Sequence, residues 1–117
     1  MSLPQDAVQI VASQDTSNAV DIVSGSKIPA STSTPEALAS SGTYAASLTI
    51  FAGRAGRVAN NNSVYIDFTS GNDTQQIEIP VGGYQIISAP VGKYLDLGSI
   101  YVDALVAGDG VFYRGFR

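Results

Sequence analysis

The chain contains no cysteine and no histidine. Without a thiol there are no disulfides, thiolate nucleophiles or cysteine-zinc sites. Without an imidazole neither a Ser-His-Asp nor a Cys-His constellation can be built, and a transition metal would depend on carboxylates alone. The expectation is therefore a non-enzymatic protein with no catalytic residues, no cofactor and no bound metal. Tryptophan is missing too, and charged residues make up only 14% of the chain, six basic against ten acidic for a net charge of −4. Phosphate neutralisation needs a clustered excess of Lys and Arg, so neither nucleic acid nor an anionic membrane surface is an expected partner. No apolar run approaches the roughly 18 to 20 residues of a spanning helix. Met1-Ser2-Leu3-Pro4-Gln5-Asp6 lacks the basic and apolar regions of a signal peptide, which points to a product made and held in a cytoplasm until assembly or lysis.

What is present is turn-and-strand grammar. The 117 residues are 44% hydrophobic, enough for one domain with a real core. Pro80-Val81-Gly82-Gly83-Tyr84 recurs as Pro90-Val91-Gly92-Lys93-Tyr94. Proline fixes φ and offers no N–H to a ladder, and a glycine two positions on suits the end of a tight turn, so each copy punctuates extended chain. Residues 63–117 read as a β-meander. Its strands place Val64, Ile66 and Phe68 on an inner face opposite Tyr65, Asp67 and Thr69, and Ile100, Val102 and Ala104 opposite Tyr101 and Asp103. Gly108-Asp109-Gly110 reads as a hairpin turn that tolerates positive φ. Upstream, Tyr44, Ala46, Leu48, Ile50 and Ala52 alternate with Ala45, Ser47, Thr49 and Phe51 in a strong strand pattern.

The first 43 residues are different. Val8-Gln9-Ile10-Val11-Ala12 and Ala19-Val20-Asp21-Ile22-Val23 alternate around Asp15-Thr16-Ser17-Asn18, whose side chains bond their own backbone in turns. Residues 1–23 read as an extended arm or hairpin, residues 24–43 as a long loop rich in Ser, Thr and Pro, and residues 44–117 as the folded domain. The fold class is all-β, an antiparallel β-sandwich or jelly-roll-like domain with an extended N-terminal arm.

Chemistry-bearing motifs all have structural explanations. Gly53-Arg54-Ala55-Gly56-Arg57 fits the GxxG loop of a KH module on paper, but KH sets that loop between helices and here a strand precedes it. Its arginines suit contact with a neighbouring acidic surface. Asp67, Asn72, Asp73 and Glu78 offer oxygen ligands for Ca²⁺, yet their spacing departs from the EF-hand loop. Asp96, Asp103 and Asp109 supply carboxylates of the kind glycoside hydrolysis uses, with no sign of one held protonated. The six tyrosines and four phenylalanines read mainly as core or subunit contacts, since Tyr is favoured where one edge is buried and the other wet. Asn61-Asn62-Ser63 and Asn72-Asp73-Thr74 match the glycosylation sequon, which carries meaning only in a secreted protein.

The runs Gln76-Ile77-Glu78-Ile79-Pro80-Val81-Gly82-Gly83, Ala89-Pro90-Val91-Gly92-Lys93, Leu95-Asp96-Leu97-Gly98-Ser99-Ile100-Tyr101-Val102-Asp103-Ala104 and Gly108-Asp109-Gly110-Val111 resemble small accessory virion proteins of tailed bacteriophages. Such proteins decorate or cement the head, or sit in fibres and tails. The resemblance spans residues 63–113. It implies a capsid decoration or cement protein, made in the host cytoplasm and carried in the virion, that self-associates and binds the major capsid protein or another virion protein. It brings no catalytic residues with it. The residues expected to meet partners are Val8, Ile10, Val20 and Ile22 in the arm and Arg54 and Arg57 in the loop. The other reading is a carbohydrate- or receptor-binding β-sandwich of a fibre or surface protein.

Overall fold

Period-2 alternation puts apolar side chains on one face of each strand, and two such faces bury one another in this chain. The structure, a computed structural model, describes residues 21–54, 58–68 and 77–117. Its strands are β1 (Ile22–Lys27), β2 (Glu36–Ala37), β3 (Tyr44–Ala45), β4 (Ser47–Ala52), β5 (Val64–Asp67), β6 (Ile77–Ile79), β7 (Tyr84–Ser88), β8 (Leu95–Asp96), β9 (Tyr101–Ala104) and β10 (Val111–Phe116). A single 3-10 turn, Leu97–Ser99, separates β8 from β9.

The first sheet has the order β1-β10-β4-β7, the second β2-β9-β5-β6, and β3 pairs with β8 at one end. Every pairing is antiparallel. Leaving out short β3 and β8, the outermost strands in sequence pair first (β1 with β10), then β2 with β9, β4 with β7 and β5 with β6, alternating between sheets. That nesting is the strand order of a jelly roll. It corrects the meander reading of residues 63–117, in which only β5 and β6 are both consecutive and paired. A meander would leave one broad face exposed, whereas crossing between sheets at every connection of the main strands but β5–β6 buries the inner faces of both.

The core is shared by the two sheets. Leu48, Ile50, Val111 and Tyr113 from the first meet Val64, Ile66, Ile79, Val102 and Ala104 from the second, with Leu38, Leu97 and Ile100 closing the ends. A fully buried Leu or Ile of this kind contributes about 2 kcal/mol. Gly115 sits where β10 crosses Leu48, and a Cβ there would run into the Ser47 carbonyl oxygen.

Both Pro-Val-Gly repeats are tight turns, with Gly83 N–H bonded to the Pro80 carbonyl at 2.8 Å and Lys93 N–H to the Pro90 carbonyl at 2.9 Å. Gly82 and Gly92 take φ of 77° and 79°, the left-handed conformation that the third position of a type II turn demands. Gly108 does the same at φ 89°, but the turn it makes lies between Val106 and Asp109 and carries the chain from β9 in one sheet to β10 in the other, so it is not a hairpin.

Three further expectations need correction. Residues 24–43 are not one long loop, because β1 runs through Lys27 and β2 pairs with β9, so among the described residues the sandwich begins at Ile22. The strand pattern from Tyr44 to Ala52 breaks at Ala46, and Ala45 and Leu48 are both buried. β3 leaves the first sheet there to pair with β8, which changes the phase of alternation. Phe68, assigned to the inner face, lies beyond the end of β5 and is exposed. The rest of the expected arm lies outside the described residues.

Candidate binding face

The outward phase of the first sheet gathers what the core leaves over. In β4, Leu48, Ile50 and Ala52 are buried, so Ser47, Thr49 and Phe51 face away from the core. Register carries that phase across four strands. One row reads Ser26, Phe112, Phe51, Tyr84, the next Ser24, Arg114, Thr49, Ile86, and the third Ile22, Phe116, Ser47, Ser88. Ile22 (66%), Tyr84 (62%), Ile86 (55%) and Phe116 (50%) all keep at least half of their surface in solvent.

Phe51 and Phe112 stack with ring centroids 4.8 Å apart and planes 9° from parallel, and Tyr84 tilts against Phe51 at 6.0 Å. Cross-strand aromatic pairs of this sort add about 0.5–1.5 kcal/mol beyond area burial. Phe51 covers one side of Phe112. On the other side the nearest outward residues of β1 are Ser24 and Ser26, and a groove of about 690 Å³ opens there, lined among others by these two serines, Val58, Phe112 and Arg114.

The rim of the groove is held by a buried polar latch. Arg54 N–H donates to the Val58 carbonyl (2.8 Å) and its guanidinium Nη2 to the Ala59 carbonyl (2.9 Å). Nη2 also lies 3.9 Å from Asp109 Oδ1. Fully buried Asp109 accepts the backbone N–H groups of Asn61 (2.8 Å) and Asn62 (2.9 Å). Asn60 Nδ2 donates to the Gly110 carbonyl and Gly110 N–H returns a bond to Asn60 Oδ1. A carboxylate and an amide thereby dock the β4–β5 loop onto the β9–β10 turn.

At the neighbouring open edge of the sandwich, Lys27 Nζ on β1 reaches Glu36 Oε1 on β2 at 3.1 Å. That hydrogen bond from Lys27 is the main cause holding the Glu36 carboxyl below its usual range, against a smaller opposing effect of burial. Burial pushes the Tyr113 hydroxyl up.

Of the residues expected to meet partners, Ile22 lies on this face. Arg54 stands at the rim of the groove, its guanidinium 3.9 Å from Asp109 of the same chain. Val8, Ile10, Val20 and Arg57 lie outside the described residues. The three aspartates considered for hydrolysis serve different local ends. Asp96 caps the 3-10 turn by accepting from Gly98 N–H (2.9 Å) and Gly42 N–H (3.2 Å), Asp109 holds the latch, and Asp103 is buried on the far side of the second sheet. Of the Ca²⁺ candidates, Glu78 accepts from Ser63 Oγ at 2.8 Å, Asp67 is buried, and Asn72 and Asp73 lie outside the described residues. Among the described residues no group of three or more His, Cys, Asp or Glu is placed to hold a metal. The aromatic row itself went unread in the sequence. Its signal is an aromatic in the outward phase of an alternating strand, Phe51 in β4 and Phe112 in β10, which becomes a row only when the register is known. No family model matches the chain, and comparisons with curated proteins and with solved structures find no match either.

Proposed function

We propose that this chain is a non-enzymatic structural protein of a tailed-phage virion, a capsid decoration or cement protein that self-associates and binds the major capsid lattice through the outer face of its first sheet. The observation that carries the reading is the apolar row and groove on that face. Tyr84 and Ile86 beside Phe51 and Phe112, and Ile22 beside Phe116 two rows away on the same face, cost solubility unless something covers them, and apolar surface gathered on one face marks interaction sites. Its aliphatic share suits a protein partner, and the resemblance over residues 63–113 supplies the virion context.

A carbohydrate-binding reading is favoured by one specific feature, the flank of Phe112 standing over Ser24, Ser26 and Arg114, where a sugar ring has an aromatic wall and polar groups within the same groove. Two measurements separate the readings. Stoichiometric recovery of the chain in purified virions and a concentration-dependent mass in light scattering support the structural role. A monomer at all concentrations that is absent from particles, yet shifts Phe112 resonances on titration with oligosaccharides, overturns it in favour of glycan binding.

A further inference from the structure

Each sheet of a sandwich ends in strands with one row of unpaired N–H and C=O groups, and folded chains guard such edges. Among the described residues, three of the four edges are guarded. β2 has two residues and β6 three, too short to template another strand, and β7 is bracketed by Pro80 and Pro90. The fourth, β1, is six residues long, holds no proline and carries a single charge, Lys27 at its end. Beside this unguarded edge lies the groove, open because Ser24 and Ser26 leave the flank of Phe112 without a neighbour of similar height.

We propose that residues 7–12 of a second copy of this chain add as a strand to the free edge of β1, laying Val8 and Ile10 over the groove beside Phe112. The inference rests on the self-association reading above and names the segment that does it. Residues 13–20 link this segment to Asp21, and at about 3.3 Å per extended residue these eight residues reach roughly 26 Å, enough to cross to a subunit packed against this face. Within residues 7–12, Val8, Ile10 and Ala12 alternate with Gln9 and Val11 over a length close to that of β1. Strand addition meets the backbone groups of both segments while side chains of one phase fill the groove. Charge is complementary, because residues 1–20 hold Asp6 and Asp15 and no Lys or Arg, whereas the groove is lined by Arg114 and by no Asp or Glu. The partner is a second copy because the face exposes more apolar surface than one arm can cover. Ile22 on β1, Phe116 on β10 and Tyr84 and Ile86 on β7 reach from one edge of the sheet to the other, so a facing subunit supplies a covering surface as well as the strand.

The absence of native cysteine makes the test direct. Single variants Val8→Cys and Ile10→Cys are each mixed with Ser24→Cys and Ser26→Cys, oxidised and run on a non-reducing gel, with light scattering of the full chain and of a chain lacking residues 1–20 in parallel. The expected result is a disulfide-linked heterodimer for at least one pairing, and loss of self-association on deletion with the β-sheet circular dichroism retained. Self-association of the full chain without any cross-link overturns the arm and leaves the structural reading standing. A monomeric full chain overturns both. A double variant such as Ile10→Cys with Ser24→Cys that closes only within one chain shows the arm folding onto its own β1 and overturns exchange.

Discussion

Asn60 and Gly110 exchange two hydrogen bonds, side-chain amide to backbone, at 2.8 and 3.0 Å, so that an asparagine side chain stands in for a neighbouring strand at the point where the chain crosses between sheets. Both residues are buried, and neither Gly110 group has water to turn to. Asn60→Ala is expected to cost about 1–3 kcal/mol, the desolvation of the Gly110 N–H left unpaired, while the Gly110 carbonyl keeps the Gly53 N–H at 3.0 Å. Denaturant unfolding followed by tyrosine fluorescence gives the number, and a change under 0.5 kcal/mol, about the level of a neutral surface substitution, contradicts the latch.

Asp109 supports the same loop with charge. Asp109→Ala removes the acceptor for two backbone N–H groups and leaves Arg54 without its carboxylate, and a loss of about 3 kcal/mol is expected. Amide exchange at Asn61 and Asn62 should quicken more than exchange in β5; uniform acceleration across the chain would place the defect elsewhere.

The inner and outer phases of β9 differ less than alternation suggests. Val102→Asp buries a carboxylate against the core and should cost about 3 kcal/mol or more. Asp103 stands on the opposite face, as the alternation reads, but is fully buried too, so that face does not leave it solvated. Asp103→Ala is accordingly expected to cost about 1–3 kcal/mol. A melting temperature unchanged from the parent would restore the solvated picture.

Glycine substitutions separate conformational strain from collision. At Gly92 a Cβ meets open space, so Gly92→Ala carries only the positive-φ cost, on the order of 1 kcal/mol. At Gly115 the added methyl meets the Ser47 carbonyl and Leu48, and Gly115→Ala should be the more damaging of the two. Equal midpoints in urea would show that β10 can shift away from β4.

The buried Tyr113 hydroxyl gives a pH signature. Its folded-state pKa lies above the ordinary value of 10.0, so the folded chain holds the proton while the unfolded chain releases it. Stability is therefore unaffected below pH 10 and falls as pH rises from there through the folded value. Tyr113→Phe should flatten that alkaline limb while preserving the packing. A variant whose stability falls as steeply as the parent's shows that another group is responsible.

Strand phase was legible wherever apolar and polar residues alternate, as in Leu48 to Ala52 and Ile100 to Ala104, because period 2 is a local property of extended chain. Both Pro-Val-Gly turns were legible for a similar reason, since proline and glycine act on their own φ. Pairing was not legible, because whether β7 joins β6 or β4 depends on contacts distant in sequence. β1 was hidden by Ser24-Gly25-Ser26, whose small side chains read as loop. The same small residues leave the groove open, so the feature that concealed the strand also concealed the site. Ile22 was read as part of an arm and stands instead on the outward face of β1; the approach of Arg54 to Asp109, 55 residues away, is invisible until the fold is known.

The pairing of the first described strand with the last has a mechanical consequence. Ile22 stands opposite Phe116, and Arg117 N–H bonds the Asp21 carbonyl at 2.9 Å, so residues 21 and 117 lie side by side at one end of the sandwich. Tension applied between those two points peels β1 from β10 one hydrogen-bonded pair at a time, as a zipper opens, and the ladder never bears the load in parallel. Tension applied between Lys27 and Phe116, at opposite ends of the same pair, shears all six register pairs together and meets far greater resistance. A subunit loaded at residues 21 and 117 would thus yield at low force, and one held through β1's far end would grip.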